Sequence, residues 1–192
     1  MSDPLTTGCG AFDAVLGGGI ERGVVTQLYG PPASGKTNVA LTVAAEAAAA
    51  GERVLYVDTE DLSLTRFRDI AAARADETPV PELTERLIVS EAADFDEQSE
   101  AVRDTEEFAE RVGLIVLDSA TGFYRLERTA EDNEGETLRA VARQITHLLA
   151  LAKRHDLAVV VTNQVFTDPD ADRTRPLGGN TLEHWKLSDR KS

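Results

Sequence analysis

The octapeptide Gly30-Pro31-Pro32-Ala33-Ser34-Gly35-Lys36-Thr37 constrains this chain more than any other stretch. It has the form G-x-x-x-x-G-K-T and lies between an apolar run, residues 24–29, and an Ala-rich run of helical character, residues 39–50. A strand must end just before it and a helix must start inside it. In that setting backbone N–H groups converge at a helix N-terminus and cradle phosphate oxygens. Lys36 then offers a point charge to the β- and γ-phosphates of ATP, and Thr37 a hydroxyl to Mg2+. Gly30, Pro31, Pro32, Ala33, Ser34, Gly35, Lys36 and Thr37 are therefore the candidate nucleotide-binding positions.

Beyond the loop, apolar runs alternate with helical patterns. Strands are predicted over 24–29, 54–58, 87–90, 114–117 and 158–161. Helices are predicted from the loop to Gly51, over about 64–75, over 96–112 and over 134–155. In the last of these, Leu138, Val141, Ile145, Leu148, Leu149 and Ala152 fall at core spacing. A proline-containing linker is predicted over 78–81. Unbroken apolar strands separated by helices specify an α/β fold, a mostly parallel sheet covered on both faces. In such sheets ligands bind outside the carboxyl ends of the strands.

Four of those ends carry suitable chemistry: the phosphate loop, Glu60, Asp118 and the pair Asn163-Gln164. Asp118, closing the run Leu114-Ile115-Val116-Leu117, is the candidate Mg2+ carboxylate, acting through water. Hydrolysis needs a group that orients or deprotonates water. Glu60 is the first candidate, with Asp58 and Asp61 as rivals, and Asp61 also reads as a turn residue or helix N-cap. Gln164 suits a sensor whose amide bonds a γ-phosphate oxygen and shifts the following loop when that phosphate leaves.

Charge sets the cellular setting. The net charge is −14, and Lys36, Lys153, Lys186 and Lys191 are the only lysines. Such compositions resemble proteins of salt-accumulating microbes, where concentrated KCl screens surface repulsion within a few ångströms. Cys9 is alone, so no internal disulfide forms. There is no apolar run of about eighteen residues and no basic, apolar leader, so a cytoplasmic location without membrane partners is expected.

Further motifs bring a resemblance into view. Thr6-Thr7-Gly8, Phe12-Asp13 and Leu16-Gly17-Gly18-Gly19-Ile20 precede the loop; Tyr56-Val57-Asp58-Thr59-Glu60, Leu117-Asp118-Ser119, Thr162-Asn163-Gln164-Val165 and the stretch from Pro176 to Trp185 follow it. In that order they resemble the RecA/RadA recombinase superfamily, and most closely its branch that consists of the ATPase core alone. The resemblance implies a RecA-type P-loop core over 1–185 with a non-family polar tail over 186–192. It implies catalytic roles for Lys36, Glu60 and Gln164, Mg2+ support by Thr37 and Asp118, and stacking of Arg66 on adenine. It also implies two DNA-facing segments, 123–136 with Arg125 and Arg128, and 166–180 with Phe166, Arg173 and Arg175. Because both are interspersed with Asp and Glu, the binding expected is weak and directed to single strands. Protein partners implied are a RadA-type recombinase or a nuclease; oligomeric state is left open.

Departures from the family pattern carry expectations of their own. Ala33 and Asp61 stand where glycine is usual. Ala33 is free of strain only at negative φ, and Asp61 adds negative charge near the phosphates, so slow turnover is expected. After Trp185 the family continues into further core strands, whereas this chain ends in a polar stretch, and a missing sheet edge with exposed apolar surface is expected. Two other readings stay open: a regulatory ATPase of the circadian-clock KaiC type without a DNA role, and a non-catalytic recruitment factor that holds ATP as a structural ligand.

Overall fold

The computed structural model describes residues 2–74, 78–123, 134–167 and 174–176. Five parallel strands, β1 (Val25–Gly30), β2 (Val54–Asp58), β3 (Leu87–Glu91), β4 (Leu114–Asp118) and β5 (Ala158–Thr167), form a sheet in the order β1-β5-β4-β2-β3. A short β6 (Thr174–Pro176) pairs antiparallel with the end of β5. Among the described residues β1 and β3 are the edges of the parallel sheet.

The helices are α1 (Gly10–Leu16), α2 (Lys36–Ala49), α3 (Leu64–Ala72), α4 (Val80–Glu85), α5 (Phe95–Phe108) and α6 (Glu134–His155). Alternation along the strands divides the core between them. Val54, Tyr56, Leu114, Val116, Ala158 and Val160 pack with α2, α3 and α4. Leu55, Val57, Ile115, Leu117, Val159 and Val161 pack with α5 and α6 on the opposite face. Strands buried on both faces cannot alternate polar with apolar, which is why they read as continuous apolar runs.

The alanines of α2 serve this packing. Ala40, Ala44, Ala47 and Ala48 are fully buried and let the helix axis approach the sheet closely. The helix ends where the sequence predicts: Gly51 takes φ +91°, and the N–H groups of Gly51 and Glu52 donate to Ala48 and Ala47 carbonyls at 3.0 Å each, a Schellman closure. Segment 78–81 is not wholly a linker. Pro81 falls in the first turn of α4, where its missing N–H has no helical partner to lose. The helix predicted over 96–112 is shorter at its C-terminus and earlier at its start: Asp94 caps α5 by accepting the Glu97 N–H at 2.8 Å.

Candidate nucleotide-binding site

Parallel register lines up the strand ends. Gly30 on β1 lies beside Gln164 on β5. Leu117 pairs with Val161, which sets Asp118 beside Thr162, and Asp58 on β2 pairs with Asp118. Positions 56, 58, 118, 162 and 164 share the sheet face that carries α2, because each is an even number of residues from an α2-facing core residue. The first two residues of α2 are Lys36 and Thr37. Sheet pairing thus gathers residues far apart in sequence along one rim.

The phosphate loop adopts its turn by two devices. Gly35 takes φ +89°, and a Cβ on Gly30 would come within 2.6 Å of the Ser34 hydroxyl. The Lys36 ammonium folds over the loop and donates to the carbonyls of Gly30 at 3.2 Å and Pro31 at 3.0 Å. Ala33 sits at φ +58° and Asp61 at φ +61°. The condition under which Ala33 would be unstrained is therefore not met: both residues occupy the left-handed region that glycine enters freely.

The acidic residues divide sharply by environment. Asp58 is buried, and its carboxylate closes the turn after β2 by accepting the N–H groups of Glu60 at 3.0 Å and Leu62 at 2.6 Å. That use leaves it a poor rival to Glu60 for water. Asp61 is exposed and caps nothing; Ser63 caps α3, accepting the Arg66 N–H at 3.2 Å. Glu60 is exposed, and one of its oxygens accepts the Ser119 hydroxyl at 2.8 Å. Ser119 is held in turn: its N–H donates to the Thr59 hydroxyl at 2.8 Å, which donates back to the Ser119 carbonyl at 3.1 Å. Asp118 is 1% exposed and accepts hydroxyl bonds from Tyr56, at 2.6 Å, and from Thr162. Burial, and then the charge of Asp118, push the Tyr56 phenol above its ordinary range, so it remains a donor.

Thr121 bridges the ends of β4 and β5. Its hydroxyl donates to Asn163 Oδ1 at 2.7 Å and accepts the Gln164 N–H at 3.4 Å. Arg66 is exposed in the first turn of α3. Arg125, Arg128 and Arg173 lie outside the described residues, as does the tail over 186–192. Phe166 and Arg175 are backbone partners in the β5–β6 ladder, so part of the segment read as a loop is a hairpin base. Tyr56, Thr59, Ser119, Thr121 and Thr162 entered the sequence reading at most as letters within motifs. The available signal was a two-residue offset from a candidate strand-end residue, Asp58 for Tyr56 and Gln164 for Thr162, and nothing in the sequence pairs Thr121 with Asn163.

The donor set fits a nucleotide with Mg2+. Mg2+ keeps most of its waters and takes one or two protein oxygens plus phosphates rather than an all-protein cage. Among the described residues no group of three or more His, Cys, Asp or Glu side chains is arranged for a metal. No described helix is long and apolar enough to cross a membrane.

The phosphate loop at the head of α2, the parallel order and the row of polar strand ends define an α/β P-loop NTPase fold of RecA type. The family model described as Rad51 matches residues 4–190, and the chain belongs to that family. A protein of Halobacterium salinarum named "DNA repair and recombination protein RadB" is 65% identical over 183 residues, covering 94% of this chain and 77% of the relative. Proteins of the same name from Methanococcoides burtonii and Archaeoglobus fulgidus are 42% and 40% identical, covering 96% and 94% of this chain and 80% and 79% of their own lengths. The salt-loving source of the first relative agrees with the acidic composition.

Proposed function

We propose that this chain binds ATP with Mg2+ at the carboxyl rim of its sheet and acts as an accessory protein of homologous recombination and DNA repair. One observation carries the nucleotide part: the loop 30–37 opens α2 on the same sheet face that presents Asp118 and Gln164 at neighbouring strand ends. The recombination part is supported by family membership and by the names of the relatives.

In this reading the loop N–H groups and the Lys36 ammonium take the phosphates. Lys36 would exchange its two carbonyl acceptors for phosphate oxygens, and Thr37 and Asp118 would hold the metal. The metal, when bound, neutralises charge on the phosphate oxygens. Glu60, steadied by Ser119, orients water for slow hydrolysis. Gln164 reads the γ-phosphate, and Arg66 stacks on adenine. Segments 123–136 and 166–180 bind single-stranded DNA weakly, through Arg125, Arg128, Phe166, Arg173 and Arg175. A RadA-type recombinase or a nuclease is the protein partner, and the site is cytoplasmic.

A second reading, ATP as a structural ligand, draws on the strain at Ala33 and Asp61, which disfavours rapid cycling of the loop. Nucleotide binding measured with and without single-stranded DNA in high KCl tests the main proposal. ATP affinity should vanish in Lys36→Ala while the melting curve is kept, and DNA affinity should rise with nucleotide. Unchanged ATP affinity in that variant would end the proposal. Multiple-turnover rates of the wild type and Glu60→Gln separate the two readings: a slow wild-type rate lost in the variant supports hydrolysis, and equal near-zero rates support the structural ligand.

A further inference from the structure

The Asp118 carboxylate is almost completely enclosed, yet both of its oxygens are used by hydroxyl donors hung from different strands. The Tyr56 hydroxyl on β2 donates to Oδ2 at 2.6 Å, and the Thr162 hydroxyl on β5 donates to Oδ1. Both donors are fully buried. A carboxylate between two such donors cannot turn about its own axis without breaking one of them. Each of its oxygens still has one acceptor site to spare.

Apolar packing does not explain these hydroxyls. Phe at 56 would fill nearly the same space against Leu41 and the α2 alanines, and Val at 162 would continue the run Val159-Val160-Val161. A buried phenol or threonine hydroxyl without a partner is a cost, so the three groups are favourable only as a unit. The unit sits on the α2 face, on the side of the sheet where Lys36 and Thr37 begin the helix.

We infer that Tyr56 and Thr162 are the positioning residues of Asp118: their hydroxyls fix its carboxylate so that the spare acceptor sites serve the water shell of nucleotide-bound Mg2+. This rests on the reading of the rim as an ATP·Mg2+ site, and it assigns a task to two residues that act through Asp118. Partners that orient a metal-supporting carboxylate typically change metal affinity by about 10–100-fold when removed.

The test uses the full chain in high KCl and a fluorescent ATP analogue, titrated with Mg2+ at fixed nucleotide. Tyr56→Phe should raise the Mg2+ midpoint about tenfold, leaving metal-free nucleotide affinity within about twofold. Thr162→Val should do the same, and Thr162→Ser should stay near the wild type. In an Asp118→Asn background, Tyr56→Phe should move the midpoint less than about twofold, because the carboxylate it orients is gone. A Tyr56→Phe midpoint within about twofold of wild type, in protein that melts normally, overturns the inference. So does an effect of equal size with and without the Asp118 carboxylate. If Tyr56→Phe does not fold, Thr162→Val and Thr162→Ser carry the same comparison from β5. Wild-type binding that ignores Mg2+ overturns the reading of the rim and this assignment together; Mg2+-dependent wild-type binding with unmoved variants overturns this assignment alone.

Discussion

Ala33 and Asp61 show how one side chain can alter a loop whose path is otherwise set by glycine. A non-glycine residue in the left-handed region costs about 1–2 kcal/mol, somewhat less for Asp, whose short polar side chain tolerates it. Ala33→Gly, which relaxes φ +58°, should stabilise the chain by about 1 kcal/mol and raise its melting temperature by about 2–4 °C. A melting temperature that falls instead would mean that the turn is not held in this conformation. Asp61→Gly should give a smaller gain. Asp13 makes a different residue-scale prediction. It accepts bonds from the Thr6 hydroxyl at 2.6 Å, the Thr7 hydroxyl at 2.6 Å and the Thr7 N–H at 2.7 Å. The hydroxyls of Thr6 and then Thr7 lower its pKa from the ordinary 3.8. A carboxylate lowered by folding contributes stability that is complete above its unfolded value and is lost as pH falls through its folded value. The advantage of wild type over Asp13→Asn in denaturant melts should therefore be present at neutral pH and disappear on acidification below 3.8. An advantage that persists in acid would assign the lock to packing rather than charge.

Among the elements, those with a full apolar face were legible and those without were not. β2, β4 and α6 coincide with or closely match their predicted bounds because burial on both faces, or a long 3.6-residue period, leaves little choice. α1 leaves no apolar pattern to read because it buries no residue, and α4 begins inside the proline-containing stretch 78–81 that reads as a linker. The contact between α5 and α6 was also invisible. There Gln98, fully buried, donates to Gln144 at 2.7 Å and to the Ala120 carbonyl at 3.3 Å, and Gln144 donates to Ser99 at 2.8 Å. Gln144→Ala should destabilise by about 1–3 kcal/mol, because it strips a buried amide of its partner; a denaturation midpoint unchanged from wild type would show that water replaces it. For the proposed DNA-facing segment 166–180, charge reversal of Arg173 and Arg175 should weaken single-strand binding several-fold, as expected from lost phosphate contacts. Undiminished affinity would refute the assignment of that segment to DNA.

At the level of the whole molecule, charge and topology act separately. With a net charge of −14, self-repulsion is long-ranged at low salt and screened within about 3 Å at 1 M. Thermal melts should therefore rise from dilute buffer to molar KCl, and a flat salt response would remove the argument for a salt-rich interior. The sequence by itself determined the class: a phosphate loop between a strand and a helix, and short continuous apolar runs alternating with helical patterns. Both are local patterns, written in neighbouring letters. It also singled out Asp58, Glu60 and Asp118 and offered them different tasks, but not the partners each one meets. Tertiary structure decided that one closes a turn, one faces solvent and one is enclosed by Tyr56 and Thr162. Those fates depend on parallel register, which sets residues more than forty positions apart side by side, and no local pattern records which strand lies next to which.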